Sequence, residues 1–415
     1  MGISVRQILK QPEIRIAREE FAHWAISLKQ RTVQTVRADQ PLKPLMDEQR
    51  AYVLPIIAQI ASHLIDLHKV KPQEVIGYEM GSYAKGTCTA ASDLDLNVAY
   101  QDGPRIYPFE RNLRLTLARV LGLGSNQIHN NDLNMATNKK ELRNELPEEI
   151  LKWRRIRRWL ILEITNILWE RGIHMVGGID LLSWRVWAAI RSPQLVTLSG
   201  LNAVDKLSSG FYVSGGVLNK AFIFGNRENY DAIKEQVDRA INLPKIRSGI
   251  SGLLEKLGTA RQGAIGGSLE AAKNTKDLEY FIIHSGGYKT AFNLLFVLGF
   301  DPTAATTKII YSYDDYLSAG NIARILGNEL RDQLFESIDW LLKARAVISI
   351  YASGGTAIPL LGPDQMKIKD PAALQSMLSA LNLNSFEEMK EAVGEKREIV
   401  QRAVLAAREK FKLSA

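Results

Sequence analysis

Two aspartates two residues apart, Asp93 and Asp95, follow a Gly-Ser pair, Gly81-Ser82, across a short small-residue loop. Each half of this arrangement has its own chemistry. Gly-Ser at the end of a strand lets backbone come close to a ligand and offers a hydroxyl beside free amides. Asp-x-Asp on a strand puts two carboxylates on one face, while Leu94, Leu96 and Val98 pack behind. Carboxylates held that close repel one another unless a cation sits between them, so a divalent metal resolves the arrangement. Magnesium favours one or two carboxylates supplemented by phosphate oxygens. A phosphate-holding Gly-Ser next to a metal-holding Asp-x-Asp is a site for two-metal phosphoryl or nucleotidyl transfer. Lys85 and Ser92 lie in the same loop and join Gly81 and Ser82 as candidate triphosphate contacts, with Lys206 as a further cation.

The elements that must position these residues are legible as changes of periodicity. Arg15 to Arg31 carries Ile16, Phe21, Trp24, Ala25 and Leu28 in roughly a helical stripe. After the break Gln40-Pro41-Leu42-Lys43-Pro44, a second helix shows Val53, Ile56, Ile57, Ile60, Leu64 and Leu67, with Pro55 near its start. Beyond Pro72 the pattern alternates: Val75 to Met80 and Asp93 to Tyr100 read as strands joined by the Gly81 to Ser92 loop. Arg111 to Leu121 and Glu148 to Arg171 read as helices, and Ile173 to Leu182 as a short strand. From about Asn226 onward the pattern is nearly all helical. The division expected from this is a helical region over 1–72, a catalytic domain over 73–225 and a helical domain over 226–415. The expected fold class is an α/β core, a small mixed sheet with helices, flanked by an N-terminal helical arm and a C-terminal all-helical domain.

The Gly81-Ser82 to Asp93-Leu94-Asp95 stretch resembles the signature of the DNA polymerase β nucleotidyltransferase superfamily. The resemblance implies a third carboxylate on a neighbouring strand. Asp180, in Val176-Gly177-Gly178-Ile179-Asp180-Leu181-Leu182, is the candidate, with Asp205 the runner-up in a loop-like setting. Lys276-Asp277-Leu278-Glu279-Tyr280-Phe281 is similar to the Arg-Asp-Ile-Glu-Phe stretch of bacterial glutamine-synthetase adenylyltransferases and PII uridylyltransferases. Val217 to Asn226 resembles that family's segment closing the catalytic domain, Asp332 to Ile350 its long helix with paired basic residues, and Leu381 to Phe411 its closing helix pair. Lys273-Asn274-Thr275 replaces the family's glycine pair, and Leu181, Leu182 and Ser183 replace its arginines. The resemblance implies Mg2+ (or Mn2+) and a nucleoside triphosphate as cofactor and substrate. Asp93, Asp95 and Asp180 would be catalytic metal ligands. The implied acceptor is a hydroxyl, on a protein by analogy, with RNA or another nucleotide as the alternative. A nucleotide-binding regulatory protein without catalysis is the remaining class.

Composition agrees with a soluble enzyme that handles an anion. The chain has 415 residues, 46% hydrophobic and 24% charged, which excludes disordered and collagen-like classes. A formal net charge of +8 suits a polyanionic partner, or else is ordinary solubility charge, since the excess is modest for this length. The single cysteine, Cys88, excludes a disulfide framework within one chain, and its place in the motif loop suggests exposure without a histidine nearby to activate it. The six histidines are scattered, so oxygen ligands are expected for any metal. No apolar run in the sequence approaches a membrane span and the N-terminus lacks a signal-peptide core, so no membrane partner and a cytoplasmic location are expected. A basic cluster, Lys152, Arg154, Arg155, Arg157 and Arg158, with Trp153 and Trp159, offers a nucleic-acid or acidic-protein contact, or else a solvated helix face.

Overall fold

The structure is a computed structural model that describes residues 4–72, 75–80, 82–83, 86–89, 92, 94–100, 105–121, 128–129, 222–228, 231, 254, 269–283, 286–299, 312–352 and 367–413. Helix α1 (Val5–Ile8) opens with a capping box in which Ser4 and Gln7 each bond the other's backbone. Helix α2 (Pro12–Arg37) starts on a proline, whose missing amide costs nothing there. It buries Ile14, Ala17, Phe21, Ala25, Leu28, Thr32 and Val36, a three-and-four spacing that keeps one face inward. Asp39 then takes a left-handed backbone (φ 50°) and turns the chain into α3 (Lys43–His68). That helix begins well before the apolar stripe that announced it, so Pro55 lies in its interior rather than near its start. By length and composition alone α3 is apolar enough to cross a membrane, although no apolar run in the sequence approaches a span, and its buried face packs into both hydrophobic clusters.

Strands β1 (Val75–Met80) and β2 (Leu94–Tyr100) pair antiparallel, followed by α4 (Ile106–Val120), β3 (Ile128–His129) and β4 (Phe222–Gly225). The strand order is β3-β2-β1-β4, with β4 antiparallel to β1 and β3 parallel to β2. Among the described residues every other regular element is helical: α5 (Thr275–Ile283), α6 (Tyr288–Gly299), α7 (Tyr313–Ser318), α8 (Gly320–Leu326), α9 (Asn328–Ala352), α10 (Pro371–Ala380) and α11 (Phe386–Leu413), besides one short 3-10 turn.

This corrects the expected fold class. The described chain is a helical protein and does not have an α/β core as its organising layer. Helices α2, α3, α9 and α11 run 26, 26, 25 and 28 residues, whereas the strands have only six, seven, two and four. The physical reason lies in where apolar surface is buried. Among the residues whose burial is described, most of it comes from helix faces, with Val75, Leu96 and Phe224 as the strand residues in the core. The expected strand over Ile173 to Leu182 lies outside the described residues, as does the helix over Glu148 to Arg171.

Two hydrophobic clusters hold the chain together. One gathers α1, much of α2 and α3, the strands and α4, around Phe21, Ile57, Ile60, Leu64, Phe109 and Leu113. The other joins the helices after residue 269, around Leu278, Leu294, Ile338, Val347 and Val400, and it also includes Val36, Leu42 and Met46. The turn between α2 and α3 is fastened to α9 by polar contacts. The Leu42 amide donates to Asp339 Oδ1 at 3.2 Å, and Lys343 Nζ reaches Asp39 at 2.9 Å and Asp339 at 2.8 Å.

Candidate functional site

The antiparallel register sets Met80, the last residue of β1, opposite Asp95 near the start of β2. The chain that leaves β1 into Gly81-Ser82 therefore starts beside the Asp-x-Asp strand, although the two motifs are separated in sequence. On the other side of β2, the parallel register places His129 alongside Asp95. Asp95 is described here by its place in the ladder alone.

The loop between the strands is held by its own hydrogen bonds and by α3. The Thr87 amide donates to the Ser82 carbonyl at 2.9 Å and the Gly86 amide to the Tyr83 carbonyl at 3.2 Å. Gly86 adopts φ +70°, where a side chain would be strained. Thr89 and Ser92 close the far end: the Thr89 amide donates to Ser92 Oγ at 2.9 Å, and the Ser92 amide returns to the Thr89 carbonyl at 2.8 Å. Helix α3 supplies the outer fastening. Gln49 Nε2 donates to Tyr83 Oη and to the Thr89 carbonyl, both at 2.9 Å, and the Cys88 thiol donates to the Met46 carbonyl at 3.3 Å. Cys88 is fully buried, contrary to the exposure suggested by its loop position. Its small apolar side chain packs the loop onto the helix.

One group in this loop is polar, buried and unused. Ser82 Oγ has no hydrogen-bond partner among the described residues, while its neighbours Tyr83, Thr87 and Thr89 are packed in. A buried hydroxyl without a partner costs about 1–3 kcal/mol, which an acceptor atom brought to Ser82 Oγ would relieve. Ser92 differs from it, because its hydroxyl already accepts inside the loop and the residue is only 3% exposed. The Ser92 hydroxyl thus helps to close the loop at its far end. Gly81, Lys85, Asp93, Asp180, Asp205 and Lys206 lie outside the described residues, as does the basic cluster from Lys152 to Arg158. Of the expected site residues the structure describes Ser82 and Ser92 in the loop between β1 and β2, and Asp95 by its register opposite Met80.

Residues of α3 and α7 that the motif did not announce lie near the same loop. Lys43, at the start of α3, pairs with Asp47 one turn on and with Asp314 of α7 at 2.9 Å. A Cβ on Gly86 would lie 4.0 Å from Asp314 Oδ2, which places this ionic cluster against the loop. Burial works against the charge of Lys43, but hydrogen bonds to the two carboxylates outweigh it and hold the ammonium above its usual pKa. Gln49 left a trace in the sequence, since it is a polar residue inside the apolar stripe Met46, Val53, Ile57. Asp314 left none, because its relation to the loop is purely tertiary.

Among the described residues no group of three or more His, Cys, Asp or Glu side chains forms a metal cluster. No family model matches the chain, and no curated protein matches it either.

Proposed function

We propose that the chain is a magnesium-dependent nucleotidyltransferase, moving a nucleoside monophosphate from a triphosphate to an acceptor hydroxyl with release of pyrophosphate. One observation carries this reading: Ser82, whose buried hydroxyl has no partner among the described residues, lies two residues beyond Met80, the end of a strand that stands opposite Asp95. A phosphate oxygen would supply the acceptor that Ser82 lacks. Asp93 and Asp95 would then hold the cation that the same phosphates complete. Magnesium, when bound, supplies charge neutralisation of the transferring phosphoryl group and lowers the pKa of the attacking hydroxyl.

The residues of the chain do the positioning. Gly81 permits close backbone approach, Ser82 donates to a phosphate oxygen, and Lys85 adds positive charge. Asp180 completes the ligand set nearest the attacking oxygen, where an extra negative ligand localises the cation. The acceptor is a hydroxyl presented from the helical side of the molecule, on a protein if the resemblance extends to the acceptor.

Calorimetric titration with a non-hydrolysable triphosphate tests the reading. Binding is expected with magnesium or manganese and to be lost in EDTA; equal affinity in EDTA would overturn the metal-bridged site. Asp180→Asn is expected to leave affinity within a few-fold while lowering single-turnover pyrophosphate release about 100-fold or more. Asp205→Asn is expected to change neither. The opposite result would move the third ligand to Asp205.

A further inference from the structure

Helix α3 changes company along one face. Leu42, at its start, and Met46 belong to the cluster of the C-terminal helices, whereas Val53 and Ile57 belong to the cluster of the strands and α4. These positions recur at helical spacing, so the changeover falls at Gln49 on a single continuous face. The motif loop is fastened at that changeover. Met46 puts its side chain among the C-terminal helices, while its carbonyl accepts from the buried Cys88 thiol at 3.3 Å. Gln49 donates to Tyr83 Oη and to the Thr89 carbonyl.

The start of the helix is anchored in the opposite direction. The Leu42 amide donates to Asp339 Oδ1 of α9 at 3.2 Å, and Lys343, one turn further along α9, holds Asp339 at 2.8 Å and Asp39 at 2.9 Å. Leu42 and Gln49 are separated by about two helical turns, roughly 10 Å. The segment between them is also braced from the side. Glu48 accepts from both terminal nitrogens of Arg31 on α2, at 2.6 and 2.5 Å, and from Trp24 Nε1 at 3.2 Å. A short helical segment held at both ends and along its flank moves as one body.

We propose that the segment from Leu42 to Gln49 is a strut through which α9 controls the order of the motif loop. In the docked state Cys88 is buried on the Met46 carbonyl and Gln49 holds both ends of the loop. When the Asp339 anchor shifts, the strut shifts with it, and Met46 and Gln49 leave their partners together. The loop then opens locally while the rest of the fold stays closed. This makes the C-terminal helices a regulatory element for the loop, whatever reaction the loop serves.

Cys88 is the one cysteine of the chain, so the rate at which iodoacetamide labels the folded full-length protein reads the opening of this loop alone. Labelling is followed without urea and at low urea, because local opening is nearly insensitive to denaturant and global unfolding is not. Asp339→Asn cuts the anchor on α9, and Met46→Ala withdraws the side chain from the C-terminal cluster while keeping the carbonyl. Each is expected to speed the urea-insensitive labelling about tenfold, the scale of one lost hydrogen bond. Val393→Ala, in the buried face of α11, is the control for lowered stability. At an equal drop in melting temperature it is expected to leave that labelling at the native rate. If Asp339→Asn does not fold, Met46→Ala decides the matter. Native labelling rates in the folded strut variants overturn the strut. An equal acceleration in Val393→Ala also overturns it, since the loop would then follow global stability alone.

Discussion

Gly77 lies beneath the ring of Phe224, and a Cβ on Gly77 would sit 2.1 Å from Phe224 Cε1. The two residues face each other in the β1–β4 ladder, next to a register shift between Gly77 and Tyr78. Only glycine admits the ring at this spacing. Gly77→Ala is expected to lower stability by about 1–3 kcal/mol through overpacking. In a Phe224→Leu background the same change is expected to cost less. Urea denaturation of the four proteins in this cycle measures the coupling.

Gln49→Leu removes both bonds that tie α3 to the ends of the motif loop. The expected loss is about 2 kcal/mol in denaturant unfolding, since two buried hydrogen bonds go together. Triphosphate affinity is expected to fall as well, because the loop that carries Ser82 loses its outer support. A variant that is destabilised but binds normally would show that the loop holds its shape without α3.

Lys343 is 6% exposed and sits between Asp339, 21% exposed, and Asp39, 80% exposed. The two carboxylates should therefore differ in weight. Asp339 also accepts from the Leu42 amide, so Asp339→Asn is expected to be strongly destabilising, by about 3 kcal/mol. Asp39→Asn is expected to cost under about 1 kcal/mol, as a mostly solvated pair does. Equal losses, read from thermal melts, would contradict this ranking.

Burial pushes the Lys29 ammonium on α2 down from 10.5 to about 8. Between these values the unfolded chain holds a proton that the folded chain has released, so this group makes stability rise with pH from about 8 to 10.5. Below about 8 its burial penalises the fold. Lys29→Met is expected to be more stable than the native chain at pH 7, with the advantage shrinking toward pH 10.5. Chemical unfolding of both proteins across that range checks the sign.

How much of this was legible depends on the distance over which each feature acts. The run Ile14, Ala17, Phe21, Ala25 and Leu28 announces α2, because helix periodicity is a local property. Segments 75–80 and 94–100 are strands at the places where apolar and polar residues alternate. The weight given to them was wrong. Residues that promise chemistry point toward α/β, whereas among the described residues most of the buried apolar surface lies on helix faces. Pro55 hid the true start of α3, since proline inside a helix removes a backbone bond and reads as a beginning. Strand β4 has four residues and shows itself only through its register with β1. In the site, Gly-Ser and Asp-x-Asp were readable as a local pattern. Lys43 and Asp314 were not, because only tertiary packing brings α3 and α7 to the same loop.

The hairpin of α2 and α3 belongs to both hydrophobic clusters, with Phe21 and Ile57 in one and Val36, Leu42 and Met46 in the other. Neither half of the molecule can therefore be excised as a self-sufficient piece. A fragment beginning after the hairpin would expose the faces of α4 and α9 that the hairpin covers, and one ending with it would lose the partners of its turn. The hairpin acts as a shared keel, and melting either half is expected to draw the other with it in a single cooperative transition.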